Sequence, residues 1–228
     1  MGTLVWPLTR VADRLGIAYP LIQAPLAGAA ATPELVAAVA NAGGLGSLGA
    51  GYLPPDAIRD AVRAIRGLTT RPFAVNLFVP EAVAVAPHQV SRMTERLRPF
   101  REALNLGDQP MPNRYGESFE EQAAVLLDEE VPIFSFTFGI PSPKVLHQFS
   151  ERGVPTIGTA TTVREARHLA DAGVDLIVAQ GSEAGGHRGT FLGPAEAGMI
   201  GTIALVPQIV DQGLFILGGE TNRIPSVG

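Results

Sequence analysis

The 228-residue sequence contains no cysteine. That excludes disulfides, thiolate-bound zinc or iron–sulfur clusters, and a cysteine nucleophile. Charge is sparse, at 17% Asp, Glu, Lys and Arg, and the formal net charge is -5. Such a chain has no general attraction for nucleic acid or an anionic membrane. No apolar run reaches ~18 residues, so no spanning helix is expected. Trp6, Pro7, Arg10, Asp13 and Arg14 interrupt any signal-peptide core, which makes the cytoplasm the expected compartment. Histidine is limited to four residues, with no two at metal-ligand spacing. There is no HExxH, Walker A loop or GxSxG elbow, so no metal site is expected.

What is present is apolar and rich in glycine. Hydrophobic residues make up 46% and there are 26 glycines, about 11% against the usual ~7%. Short apolar runs alternate with helix-period segments. Strands are expected near Leu21–Ala27, Gly44–Leu48, Phe73–Phe78, Ile133–Phe138, Thr156–Thr159, Leu176–Ala179 and Leu214–Leu217. Several are apolar at nearly every position, as in parallel strands covered on both faces. Helix starts are explicit at Thr32-Pro33-Glu34 and Ser142-Pro143. Thr162 and Glu165 have capping-box spacing. In Asp56–Arg66, Ile58, Ala61, Val62 and Ile65 form one stripe, and Arg59, Arg63 and Arg66 are expected to face out. This alternation implies an α/β fold with a parallel sheet, open or closed. The length suits one α/β barrel, typically ~250 residues. A single domain is expected, with an excursion at about 80–130: helices at Pro87–Phe100 and Phe119–Glu130 around a loop at Asn105–Ser118.

Glycines and small polar residues gather where the strands are expected to end. Gln23–Gly28, Gly46–Gly51, Asn76, Ser135–Thr137, Gly158-Thr159, Gln180-Gly181 and Gly218-Gly219 are these positions. Ligands bind at that end of parallel sheets, and small residues let main-chain amides approach a flat, cofactor-sized group. The densest segment, Gln180–Phe191, carries His187 between glycines, with Arg188 as a candidate anion partner. An imidazole there can take or give a proton near neutral pH. His88, His147 and His168 read as surface residues. Gly44-Leu-Gly-Ser-Leu-Gly49 fits GxGxxG. The acid expected ~20 residues later falls inside the arginine-rich helix, which argues against a dinucleotide fold.

Gln23-Ala-Pro-Leu-Ala-Gly28 with Ala31-Thr-Pro33, Gly46–Leu53, Phe73–Phe78, Phe134–Gly139 and Gln180–Gly189 resemble the nitronate monooxygenases, formerly called 2-nitropropane dioxygenases. The resemblance covers about residues 15–219. Its Glu-Ala-Gly-Gly-His element also occurs in FMN-dependent enoyl-ACP reductases. The resemblance implies a TIM-type (β/α) barrel with FMN at the C-terminal face. It also implies oxidation of alkyl nitronates, such as propionate 3-nitronate, with O2. By matching motif, Ala24, Pro25 and Leu26 would line the flavin with backbone. Leu26 departs from the family's usual Met. Asn76 and Gln180 would hydrogen-bond the cofactor, Gly185 would approach it, and Gly218 and Gly219 would meet its phosphate. His187 matches the active-site histidine, and Tyr115 is a candidate on the substrate side.

In that family the chain continues past the glycine pair with a helix, an eighth strand and a second phosphate contact. Here nine residues follow Gly219, fewer than the dozen or more a βαβ crossover needs. The expectation is therefore a barrel truncated after its seventh strand. Two alternatives stay open: a non-catalytic fragment that covers its unclosed edge by self-association, and an FMN-dependent reductase resembling the enoyl-ACP enzymes.

Overall fold

The computed structural model describes residues 6–7, 9–28, 31–80, 86–107 and 116–212, and the backbone of 216–220. The chain divides into two compact units, Met1–Pro80 with Glu117–Gly228, and Glu81–Gly116.

The first unit is a parallel sheet of six strands: β1 (Gly46–Gly49), β2 (Phe73–Phe78), β3 (Ile133–Thr137), β4 (Thr156–Ala160), β5 (Leu176–Gln180) and β6 (Ile216–Glu220). They lie side by side in chain order. A doubly wound dinucleotide fold reverses its strand order partway; this sheet does not. The glycines of the GxGxxG match serve close packing instead. A Cβ on Gly46 would lie 2.1 Å from the Val36 carbonyl oxygen, and one on Gly49 would lie 2.6 Å from the Leu26 backbone.

Six strands form among the described residues where seven were expected. The segment over Leu21–Ala27 makes one parallel bridge, Ile22 to Leu45. Gln23 explains why the ladder stops. Its amide N–H donates to Leu45 (2.9 Å). The next bond of a parallel ladder would run from Ser47 N–H to the Gln23 carbonyl. Ser47 donates instead to the Gln23 side-chain oxygen at 3.1 Å. Pro25, two residues on, has no N–H to resume the pairing.

Period-two alternation sorts the strand residues onto two faces. Leu48, Phe73, Val75, Leu77, Phe134, Phe136, Ile177 and Ala179 face the larger apolar core. That core takes its helical side from α2 (Pro33–Asn41), α3 (Pro55–Leu68), α5 (Phe119–Asp128), α6 (Pro143–Glu151), α7 (Val163–Asp171) and α8 (Thr202–Val210). The opposite face carries Leu45, Ala74, Ile133, Ile157 and Leu176, plugged by Leu15 of the short α1 (Arg10–Leu15). Helix starts follow the expected caps: Thr32, Ser142 and Thr162 each accept from the amide three residues on.

The three arginines of α3 do not simply face solvent. Arg59, Arg63 and Arg66 converge on Glu129, which is 8% exposed. Arg59 and Arg63 reach its carboxylate at 2.8 and 2.9 Å. Arg66 also donates to the Glu129 and Glu130 carbonyls. A carboxylate at the turn after α5 gathers side chains that periodicity alone points outward. The Arg63 guanidinium, then Arg59, holds the Glu129 carboxyl below its ordinary value of 4.5 against the cost of burial. A depressed folded pKa stabilises above the unfolded value, and the gain is lost as pH falls through the folded one. Arg63 and Arg66 are 62% and 40% exposed, which limits the gain to about 1 kcal/mol. Glu129→Gln is expected to lower the urea midpoint at pH 7. Its difference from wild type should vanish in more acid solution, once Glu129 itself is protonated. An unchanged gap across that range would contradict the assignment.

The second unit contains α4 (Pro87–Ala103), none of whose residues is buried. The central part of the expected loop, with Tyr115, lies outside the described residues. Helix α5, expected at the end of the excursion, belongs to the first unit.

Candidate active site

The face opposite the larger core changes character along the strands. Beyond its apolar end lie Ser47 on β1, Asn76 on β2, Ser135 on β3, Thr159 on β4 and Gln180 on β5, each buried. This polar row marks the C-terminal end of the sheet, where ligands bind in such folds. Asn76 donates to the Ser135 hydroxyl (3.1 Å). Gly49 pairs with Asn76 across β1 and β2. The backbone of Leu26 and Ala27 lies against Gly49, so the segment that carries Ala24, Pro25 and Leu26 runs on beside the end of β1.

The loop after β5 is held largely through its main chain. The Gln180 side chain donates to the His187 carbonyl (2.9 Å) and accepts from the Gly189 amide (2.7 Å). Gln180 therefore shapes the loop with the amide expected to meet a cofactor. Arg188 turns inward and donates to the carbonyls of Gln180 (2.9 Å), Gly181 (2.7 Å) and Gly198. Only its buried Nε lacks a partner. Burial lowers its pKa, opposed by Glu165 and Glu183. The expected anion partner is thus mostly spent on loop carbonyls. Glu183 is held below the usual carboxylate value by its own amide and then by that of Thr202.

Glu165 fastens the far end of this loop. It is fully buried. The capping box predicts that it returns to the Thr162 amide, but its carboxylate goes elsewhere. One oxygen takes the Thr161 amide and hydroxyl, both at 2.7 Å. The other takes the amides of Phe191 (2.7 Å) and Leu192 (2.9 Å). Four donors, two of them from a distant loop, outcompete a single local amide.

His187 stands exposed among aromatic rings from three strand ends. Its Nε2 meets the Tyr52 hydroxyl at 2.9 Å. Phe78 and Phe138 lie 5.4 and 5.7 Å from the imidazole, centre to centre. Tyr52 is carried by the loop after β1. That loop is secured by Gln122 of α5, which donates to Ala50, Gly51 and Leu53 (3.3, 3.4 and 2.8 Å). Tyr52 and Phe78 fall within quoted motifs, but no local pattern sets them beside His187. His88, His147 and His168 are exposed, as expected.

Gly185 and Gly186, which precede His187 in the chain, are exposed. Gly186 has φ +76° and open space where a side chain would stand. Gly218 and Gly219 were expected just past a strand. They lie inside β6, with Gly219 paired to Ala179 after a bulge. These residues fit a flavin-sized group in three respects: a polar row, a bare glycine approach, and an Asn76 side-chain oxygen (Oδ1) that meets no donor among the described residues.

The model of the family described as "Nitronate monooxygenase" matches residues 9–213. The chain belongs to the nitronate monooxygenase family. A "Probable nitronate monooxygenase" of Staphylococcus saprophyticus is 46% identical over 206 residues, covering 90% of this chain and 58% of that protein. One from Staphylococcus aureus is 45% identical over 208 residues, 91% of this chain and 58% of its own length. The chain thus spans 58% of the length of the curated relatives it matches. Among solved structures, a nitroalkane oxidase from Streptomyces ansochromogenes superposes with a TM-score of 0.79 at 37% identity, covering 89% of this chain and 58% of that one. FabK from Thermotoga maritima follows at 0.66 and 27%, covering 93% and 60%. No described helix of this nitronate monooxygenase family member is long and apolar enough to cross a membrane.

Proposed function

We propose that this chain binds FMN at the C-terminal end of its sheet and oxidises alkyl nitronates, propionate 3-nitronate among them, with O2. The single-wound sheet is read as an arc of a TIM-type (β/α) barrel. The observation that carries the reading is the Tyr52–His187 pair, set at the end of the sheet where the face opposite the larger core turns polar. Ala24, Pro25 and Leu26 offer backbone to the flavin, Asn76 its side-chain oxygen, and Gly185 a close approach. Gly218 and Gly219 offer amides of β6 to the phosphate. Gln180 serves the cofactor indirectly, by holding the loop. When bound, the flavin supplies one-electron oxidation of the nitronate and delivers electrons to O2. His187 holds the nitronate anion, or takes the proton from the carbon beside nitrogen where the neutral nitroalkane binds, and the Tyr52 hydroxyl orients the imidazole through Nε2.

Oxygen uptake by the FMN-supplemented protein tests this against the reductase reading. The expected result is uptake with ethyl and propyl nitronates and only slow anaerobic flavin reduction by NADH or NADPH. Fast reduction by a nicotinamide with no nitronate-dependent uptake would favour the reductase. The higher likeness to nitroalkane oxidase than to FabK supports the first outcome.

A further inference from the structure

We propose that Phe78 and Phe138 form a rigid apolar wall beside His187 that sets the length of alkyl chain the site accepts. This rests on the nitronate reading above. The two rings meet edge to face at 5.0 Å, and Tyr52 meets Phe78 in the same way at 5.1 Å. Edge-to-face geometry is the favourable arrangement for such pairs. Phe78 packs directly on the Gly51 backbone, where even a Cβ would come within 2.4 Å of its ring.

Phe138 is the telling residue. Its backbone has φ +73°, a left-handed conformation that is an outlier for a bulky side chain. Glycine adopts that conformation readily. Gly139 stands at the next position yet is not among the glycines with positive φ. The chain therefore turns left-handed at the residue whose ring lies against the imidazole. Strain of this kind persists where the surroundings enforce it and gathers at functional sites.

The division of labour follows from the chemistry. The charged nitronate end pairs with His187, and the hydrocarbon end has two aromatic rings to lie against. Each methylene seated on such a wall is worth roughly fourfold in binding, and a methylene that meets the ring head-on loses that gain. The wall thus gives a chain-length optimum rather than indifference.

Phe138→Gly removes the ring and suits the left-handed backbone; Phe138→Leu and Phe78→Leu are the milder companions should it fold poorly. Two readouts apply. The first is kcat/KM on nitronates of two to eight carbons. The second is the shift of the ¹⁵N-labelled His187 imidazole on titration with straight-chain carboxylates of the same lengths, which mimic the nitronate anion. The wild type should peak at a short chain. In Phe138→Gly, the ratio of long-chain to short-chain values should rise roughly fifteenfold in both readouts, two methylenes' worth. Failure of nitronate turnover with a chain-length optimum still visible at His187 would overturn the nitronate reading and leave the wall. Unchanged chain-length profiles in all folded variants, in both readouts, would overturn the wall.

Discussion

His187→Ala is expected to lower nitronate turnover by about 10²–10⁴-fold, the usual range for losing a positioned acid–base group. The flavin absorbance should remain. The separation of the two effects comes from how the loop is held. Gln180 grips it through the His187 carbonyl and the Gly189 amide. Arg188 grips the carbonyls of Gln180, Gly181 and Gly198. Glu165 grips the amides of Phe191 and Leu192. None of these contacts uses the imidazole, whose one hydrogen bond among the described residues goes to Tyr52. Alanine therefore keeps the loop and removes the chemistry. Steady-state oxygen uptake, read beside the visible spectrum of the same sample, checks this. Turnover within a few-fold of wild type would remove His187 from the mechanism.

Glu165→Ala should have the largest effect on folding, about 3 kcal/mol in urea denaturation. Its carboxylate is fully buried and serves four donors. Truncation leaves those donors facing a small cavity, and each orphaned buried donor costs on the order of 1–3 kcal/mol before relaxation. Water reaching the gap would recover part of that loss. Because Phe191 and Leu192 close the loop that begins at Gln180, the variant should also lose activity beyond its loss of stability. A change below about 1 kcal/mol would mean that the loop amides find other partners easily.

Much of the architecture is legible locally. Strands β2, β3 and β5 announce themselves as largely apolar runs, and Thr32, Ser142 and Thr162 mark helix starts through their own hydroxyls. His187 stands out because glycines surround it at a strand end. The departures arise where a side chain answers a distant group. Gln23 replaces its own carbonyl in the ladder with its side chain. Glu165 reaches Thr161 and the loop after β5 rather than the Thr162 amide of a capping box. Arg59, Arg63 and Arg66 turn to Glu129, more than sixty residues away. The rings around His187 come from the ends of β1, β2 and β3. No periodicity within one segment brings Tyr52 and Phe138 to the same imidazole. Helix α8 lacks a capping side chain at Gly201 and contains Pro207, so it carries neither of the usual start and continuity signals.

The central claim is that the polar row and glycine loops at the strand ends hold FMN beside His187. The visible absorption spectrum of the purified full chain, before and after incubation with FMN and removal of free flavin, tests it most directly. The account predicts the two oxidised-flavin bands with about one FMN retained per chain, as expected for one site built from a single constellation of strand ends. A colourless protein that retains no added FMN would contradict it.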